Sequence, residues 1–479
     1  MENSKIFSLI KCLNKAQLRK FQEYVQSPFF NKHVQISILA DTLITAVRKG
    51  STRLDTAQLY QKLYNSILID NKQLHYLSTR LQNLLNDFLA FERYDRLTLR
   101  KYNYGIQQLH QLNAEAAEKS LTKKYRTERS KYTEIAAELI YEDYLLHKTL
   151  DKIYLDKNIR IYDDNLQQQN DALDQYYLIE KLKIICDMLN RNVVIKAAYL
   201  PTYVKEVEQL LEQMDFESAN LPMVQIYYNI YKMLRYEQQE SYQQLIQLSL
   251  QYAQRIMPDD LLLMMDYAEN YCIRQINSGQ SDFYNEFLNI YKFKLEQELL
   301  FIDGFIPESD YKNIVTAGVR TKEFGWTADF IHQNKSKLKA DIRENAFKYN
   351  LSVLYFAQNK YEAALQLLME ISFRDIAYGV GAKTIQMQIY FALEEYEALI
   401  NLIDTFRLYV GRHKTQSDYR KKATLNMLRI VKKIVKLKER STFLGKHKYN
   451  LQLEDIKHLF EMLSPVSNSG WIHDILDTC

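Results

Sequence analysis

Between Ile106 and Leu200 the chain contains neither glycine nor proline, a run of 95 residues. Tight turns between β-strands use residues that tolerate or pre-set unusual backbone angles, chiefly Gly, Asn and Pro. The rest of the chain is nearly as poor in them, with 11 glycines and 6 prolines in 479 residues, against usual shares of about 7% and 5%. A sheet-rich protein of this length is therefore set aside. So are doubly wound and barrel enzymes, which need glycine where backbone approaches phosphate. Hydrophobic residues make up 47%, enough for a large core and too many for a disordered chain. An all-α fold remains.

Local signals place the first helices. Asn14 and Gln17 have capping-box spacing and open a helix that runs through Val25. Ser27-Pro28 ends it, because the residue before proline avoids the α region. A second helix spans roughly Asn31 to Lys49 and stops at Gly50. Asp55 and Gln58 suggest another capping box. A longer helix follows from about Asn71 to Arg96, with Leu74, Leu77, Leu81, Leu84, Leu85, Phe88 and Leu89 at three-and-four spacing. The short helix, turn and longer helix of 55–96 fit a helix-turn-helix and equally an ordinary packing pair. In the Gly- and Pro-free run the apolar spacing is not a sustained heptad, which predicts several helices. Polar clusters at Asp163-Asp164-Asn165 and Gln169-Asn170-Asp171 mark the expected breaks, and Ser120–Lys131 reads as a solvated helical stretch. Pro201, Pro222, Pro258 and Pro307 mark later connections.

A repeat emerges after residue 310. Trp326, Tyr361 and Tyr396 are each followed two residues on by alanine and recur at a spacing of 35, and Tyr355 and Tyr390 precede two of them at the same interval. A fixed period near 35 implies stacked helix pairs, none able to bury its apolar face alone. Leu351-Ser352, Tyr355, Asn359, Tyr361, Ala364 and Leu368 resemble the tetratricopeptide repeat in order and residue size. The next repeat matches in part: Gln386 and Met387 replace leucine and glycine, Leu399 replaces alanine, and Ile376 takes the place of the closing proline of the repeat before. The pair around Trp326 keeps only the aromatic-x-alanine core, and 261–276 with 282–300 form a further expected pair. Ser27–Lys32, SPFFNK, also resembles a segment of an all-helical bacterial family, which implies a fold and no activity. The expected architecture is an all-α, curved superhelical array of antiparallel helix pairs, tetratricopeptide-like, behind an N-terminal helical domain. Its expected divisions are residues 1–104, 105–310, 311–410 and 411–479.

Net charge is +4, unevenly spread: +10 over 1–130, −14 over 131–406, +12 over 407–448 and −4 over 449–479. Basic ends can fold onto the acidic middle or meet an acidic partner. The four cysteines, Cys12, Cys186, Cys272 and Cys479, lie far apart, unlike the close pairs of metal and redox motifs. Scattered cysteines, the lack of a signal-type apolar run and the lack of an 18-residue apolar stretch lead to an expected cytoplasmic location. No phosphate-binding, hydrolase or zinc-protease motif occurs, so no catalytic residue, metal or cofactor is expected. The His473-Asp474 pair does not change this, because adjacent helical residues face apart.

Two binding surfaces stand out. On the helix from about Tyr419 to Arg440, Lys422, Arg429, Lys433, Lys436 and Arg440 are spaced 7, 4, 3 and 4, one narrow stripe at ~3.6 residues per turn. Met427, Leu428, Ile430, Val431, Ile434, Val435 and Leu437 face away from it. The stripe suits nucleic-acid phosphates, an acidic protein or the chain's own acidic middle. A membrane surface fits it poorly, since the apolar face carries no Trp or Phe. The tetratricopeptide resemblance implies the second surface, the concave groove lined by each pair's first helix: Tyr349, Val353, Phe356, Thr384, Gln388 and Phe391. The chaperone-tail clamp pattern of Lys and Asn is missing there. The expected function is a non-enzymatic scaffold or adaptor binding a protein partner through that groove. The alternative is nucleic-acid binding by the basic helix and the basic N-terminal domain.

Overall fold

The computed structural model describes residues 4–50, 56–65, 70–158, 160–216, 221–371, 376–412 and 418–479. Among these residues there are 23 α-helices and no β-strand. Packing divides the chain into two units, Met1–Lys181 and Leu182–Cys479, with the division inside one long helix.

The first unit begins with α1 (Lys5–Lys11), α2 (Lys15–Gln26), α3 (Val34–Arg48), α4 (Thr56–Tyr64) and α5 (Asn71–Asp95). Asn14 accepts from the Gln17 amide at 2.9 Å while the Gln17 side chain accepts from the Asn14 amide at 3.2 Å, the capping box read from sequence. The Asp55 cap and the turn between α4 and α5 lie outside the described residues. Phe7, Phe21, Leu43, Leu81 and Phe88 centre one core shared by these helices. The SPFFNK segment joins α2 to α3 through Asn31, which is buried and donates to the Val25 carbonyl at 2.9 Å and to Ser37 Oγ at 3.0 Å. Then come α6 (Thr98–Gln111), α7 (Glu115–Arg129) and α8 (Ala137–Asp156) around a second core of Leu99, Ile106, Tyr125, Leu146 and Ile153.

Helix α9 (Asn165–Val194) runs 30 residues, straight through Gln169-Asn170-Asp171. That cluster was expected to break it and does not. Gln167 donates to Asp171 at 2.7 Å and Asn170 to Asp174 at 3.2 Å, i,i+4 bonds that support a helix at a solvent-facing start. The Asp163–Asn165 break is real, between α8 and α9.

The second unit continues with α10 (Val204–Glu212), α11 (Pro222–Tyr236), α12 (Gln239–Tyr252), α13 (Pro258–Asn277) and α14 (Phe283–Glu296). Pro222 and Pro258 each occupy a first helical turn, where a missing N–H costs nothing. Next are α15 (Glu308–Arg320), α16 (Phe324–Gln333), α17 (Arg343–Ala357), α18 (Tyr361–Met369), α19 (Ile376–Ala392) and α20 (Tyr396–Arg412). The chain ends with α21 (Asp418–Glu439), α22 (Lys446–Met462) and α23 (Ser469–Asp477). Consecutive helices pack as pairs, and the first helices of neighbouring pairs also meet, α15 on α17 and α17 on α19.

One turn closes several of these pairs. Lys322, Asn359 and Glu394 have left-handed backbone, φ 62, 58 and 59°. The next amide in each case bonds five residues back, Glu323 to Gly318, Lys360 to Tyr355 and Glu395 to Tyr390, all at 2.9 Å. This is the Schellman closure, and Asn113 and Ala114 repeat it between α6 and α7. Asn, Lys and Glu thus stand where glycine usually would, which is how so helical a chain manages with 11 glycines. The turn also fixes the repeat register. The structural counterpart of Tyr361 and Tyr396 is Phe324, two residues after its left-handed turn, and not Trp326. In that register Thr327, Ala364 and Leu399 are all buried, as are Ile331, Leu368 and Ile403. The spacing of 35 holds between the last two pairs and is 37 between the first two, so the Trp326 match was coincidental.

Candidate functional site: a basic stripe on the helix Asp418–Glu439

α21 is positioned by its apolar side. Met427, Leu428, Ile430, Val431, Ile434, Val435 and Leu437 are all buried, in one core with Leu399, Ile403, Phe406 and Val410 of α20, Leu453 and Ile456 of α22, and Ile472, Ile475 and Leu476 of α23. Burying a side chain of this size contributes about 1.5–3 kcal/mol, so the orientation of the helix about its axis is firmly set. Two further bonds pin it: Asn426 donates to the Pro465 carbonyl at 2.8 Å, and the Ser467 amide to the Ala423 carbonyl at 3.1 Å.

The opposite side carries the stripe. Lys422, Arg429, Lys433, Lys436 and Arg440 are all exposed. At 100° per residue they occupy a wedge of about 60°, and at 1.5 Å per residue they extend over ~27 Å. Among the described residues none of the five side chains has an ion-pair or hydrogen-bond partner. Their neighbours differ: Lys432 is held by Asp404, and Lys421 donates to the Gly411 carbonyl at 3.4 Å. The stripe is therefore a row of fixed positive charges facing solvent. An exposed ring stands at each end, Tyr419 (70% exposed) and Phe443 (89% exposed).

The groove residues fare differently. Tyr349 is 6% exposed, edge-on to Tyr378 at 4.9 Å with its hydroxyl directly over Gly381, and burial pushes its phenol up to about 12. Phe391 packs edge-on against Trp471 at 5.7 Å and against Tyr396. Val353, Phe356, Thr384 and Gln388 are half-buried, Phe356 beside Tyr361 and Thr384 bonded to the Val380 carbonyl at 2.8 Å. The six lie on α17 and α19, with Tyr349 and Phe391 already covered by neighbouring helices. His473 meets Asp477 at 3.0 Å, not Asp474, and both are exposed.

One cluster escaped the sequence reading. Lys294 on α14 is 2% exposed and donates to Asp266 at 2.6 Å and to Glu269 at 2.7 Å, both on α13. Tyr291 donates to Glu269 at 2.6 Å and receives a bond from Asn313 of α15 at 3.2 Å. Lys294, Asp266 and Glu269 line, with Asp310, a cavity of about 300 Å³. Burial alone would lower the Lys294 pKa, but Glu269 and Asp266 outweigh it and the net direction is up. Burial raises Asp266, and burial with Glu269 raises Asp310. A lysine held protonated cannot act as a neutral amine nucleophile, so the network ties three helices together. No sequence motif marks it, because its members come from three separate helices. A second cavity, about 620 Å³, opens beside Tyr199, Pro201, Tyr231 and Arg235. Among the described residues no group of His, Cys, Asp and Glu is arranged to hold a metal ion, and no helix is long and apolar enough to cross a membrane.

Fold and surface together define an all-α array of packed helix pairs bearing an exposed basic stripe. No family model, curated protein or solved structure matches the chain.

Proposed function

We propose that this chain is a non-enzymatic, tetratricopeptide-like scaffold whose working surface is the basic stripe on α21, and that it binds the phosphate backbone of a nucleic acid. The observation that carries this reading is the set of five exposed cations on one line with no ionic partner among the described residues. Phosphate contacts require positive charge held at intervals along a backbone, and little else. The buried apolar face of α21 weighs against membrane insertion, since the side that would enter a bilayer lies in the core. The proposal carries with it a cytoplasmic location.

A protein partner on the α17/α19 face is the second reading, favoured by the half-exposed Phe356 and Gln388. The two separate by mutation. Reversing Lys422, Arg429, Lys433, Lys436 and Arg440 to glutamate abolishes binding of a labelled oligonucleotide, measured by fluorescence anisotropy, if the stripe is the working surface. Neutralising the same five to glutamine gives the same loss with less disturbance of the fold. Unchanged binding in both variants overturns the proposal. Phe356→Asp leaves oligonucleotide binding intact and affects only a partner held by the repeat face.

A further inference from the structure

The two aromatic rings that bracket the stripe say what form of nucleic acid suits it. Phe443 closes the 3₁₀ turn Ser441–Phe443, and its amide bonds the Arg440 carbonyl at 2.9 Å. In a 3₁₀ turn residues three apart eclipse each other, so Phe443 stands on the line of the stripe one turn beyond Arg440. Tyr419 lies three residues before Lys422, one turn below it and about 60° to its side. Among the described residues neither ring stacks on another ring or a cation. The uncovered cationic row thus carries a large bare ring at each end.

We propose that the stripe takes a single-stranded nucleic acid, with phosphates along Lys422, Arg429, Lys433, Lys436 and Arg440 and bases stacked on Tyr419 and Phe443. This rests on the phosphate-binding reading above and adds the strand state. A duplex keeps its bases paired and stacked inside, so it can use the cations and leaves both rings idle. A single strand offers a free π-face at every nucleotide, and a ring accepts any base without regard to sequence.

The test uses the full chain and three probes: a fluorescein-labelled 20-nucleotide single strand, the corresponding duplex, and vesicles of mixed phosphatidylserine and phosphatidylcholine. The single strand binds at least tenfold more tightly than the duplex at matched salt. Tyr419→Ala or Phe443→Ala alone weakens single-strand binding by about fivefold to a hundredfold, the double variant by about thirtyfold or more, and none of the three changes duplex binding or the salt slope. Both residues are exposed, so the fold is not at risk. Phe443→Trp keeps a stacking ring: it retains affinity, and its fluorescence is quenched by the single strand. Equal affinity for both strand states, or an alanine variant that binds like the parent, overturns the stacking inference and leaves phosphate binding standing. Binding to neither oligonucleotide overturns both, as does binding to vesicles alone.

Discussion

Lys294 shows how a single residue can join three helices. Its ammonium satisfies Asp266 and Glu269, and Tyr291 carries the bonding on from Glu269 towards Asn313 and Asp310. Removing one partner from a buried ion network leaves charge uncompensated, so Lys294→Met should destabilise by about 3–5 kcal/mol, read by denaturant unfolding. Asp310 behaves in the opposite sense. Its carboxyl is held above the usual range by burial and by Glu269. A carboxyl raised in the folded state binds more protons there than in the unfolded chain, so stability falls as pH rises through that window. Asp310→Asn should therefore raise the unfolding midpoint at pH 7. The gain should shrink as the pH falls and vanish below the ordinary aspartate value, where the parent carboxyl is protonated in both states. A midpoint lowered at pH 7 would show that Asp310 stabilises the network as an anion.

Among the elements, what could be read beforehand rests on local signals. Asn14 with Gln17 announces a helix start because capping depends on nearby residues only, and Pro222 and Pro258, read as connections, fall in the first turn of the next helix. The stripe was legible for the same reason: helical periodicity and charge suffice to put Lys422, Arg429, Lys433, Lys436 and Arg440 on one face. The register of Trp326 was not, because an aromatic followed by alanine is a loose pattern and the left-handed turn at Lys322 leaves no glycine to mark it. Gln169-Asn170-Asp171 misled because a polar cluster on an exposed helical face looks like a loop. The Lys294 network was invisible because its pairing is entirely tertiary. Two substitutions test the hairpin account. Gly318→Ala places a methyl 2.1 Å from Thr327 Oγ1 across the α15/α16 contact, a clash that should cost about 1–3 kcal/mol. Glu394→Gly relieves a strained left-handed position and should raise the thermal midpoint; a fall would mean that the Glu394 side chain itself holds the turn.

For the molecule as a whole, charge segregation is the distinctive property. The acidic stretch 131–406 is a candidate partner for the basic one, yet among the described residues the internal carboxylate pairing of α21 involves Lys432 with Asp404 and leaves the stripe itself open. Helix pairs hold α21 from behind, through the core it shares with α20, α22 and α23, and so present the five stripe cations with no carboxylate partner among the described residues. The central claim is that these cations meet phosphate. The most direct measurement is the affinity of the full chain for a 20-nucleotide single strand across a salt series. Five phosphate contacts predict that log K falls linearly with log salt with a slope of about −3.5, and that reversing the five stripe residues brings the slope close to zero. A parent slope near zero, or a reversed variant that keeps the parent slope, would contradict the claim.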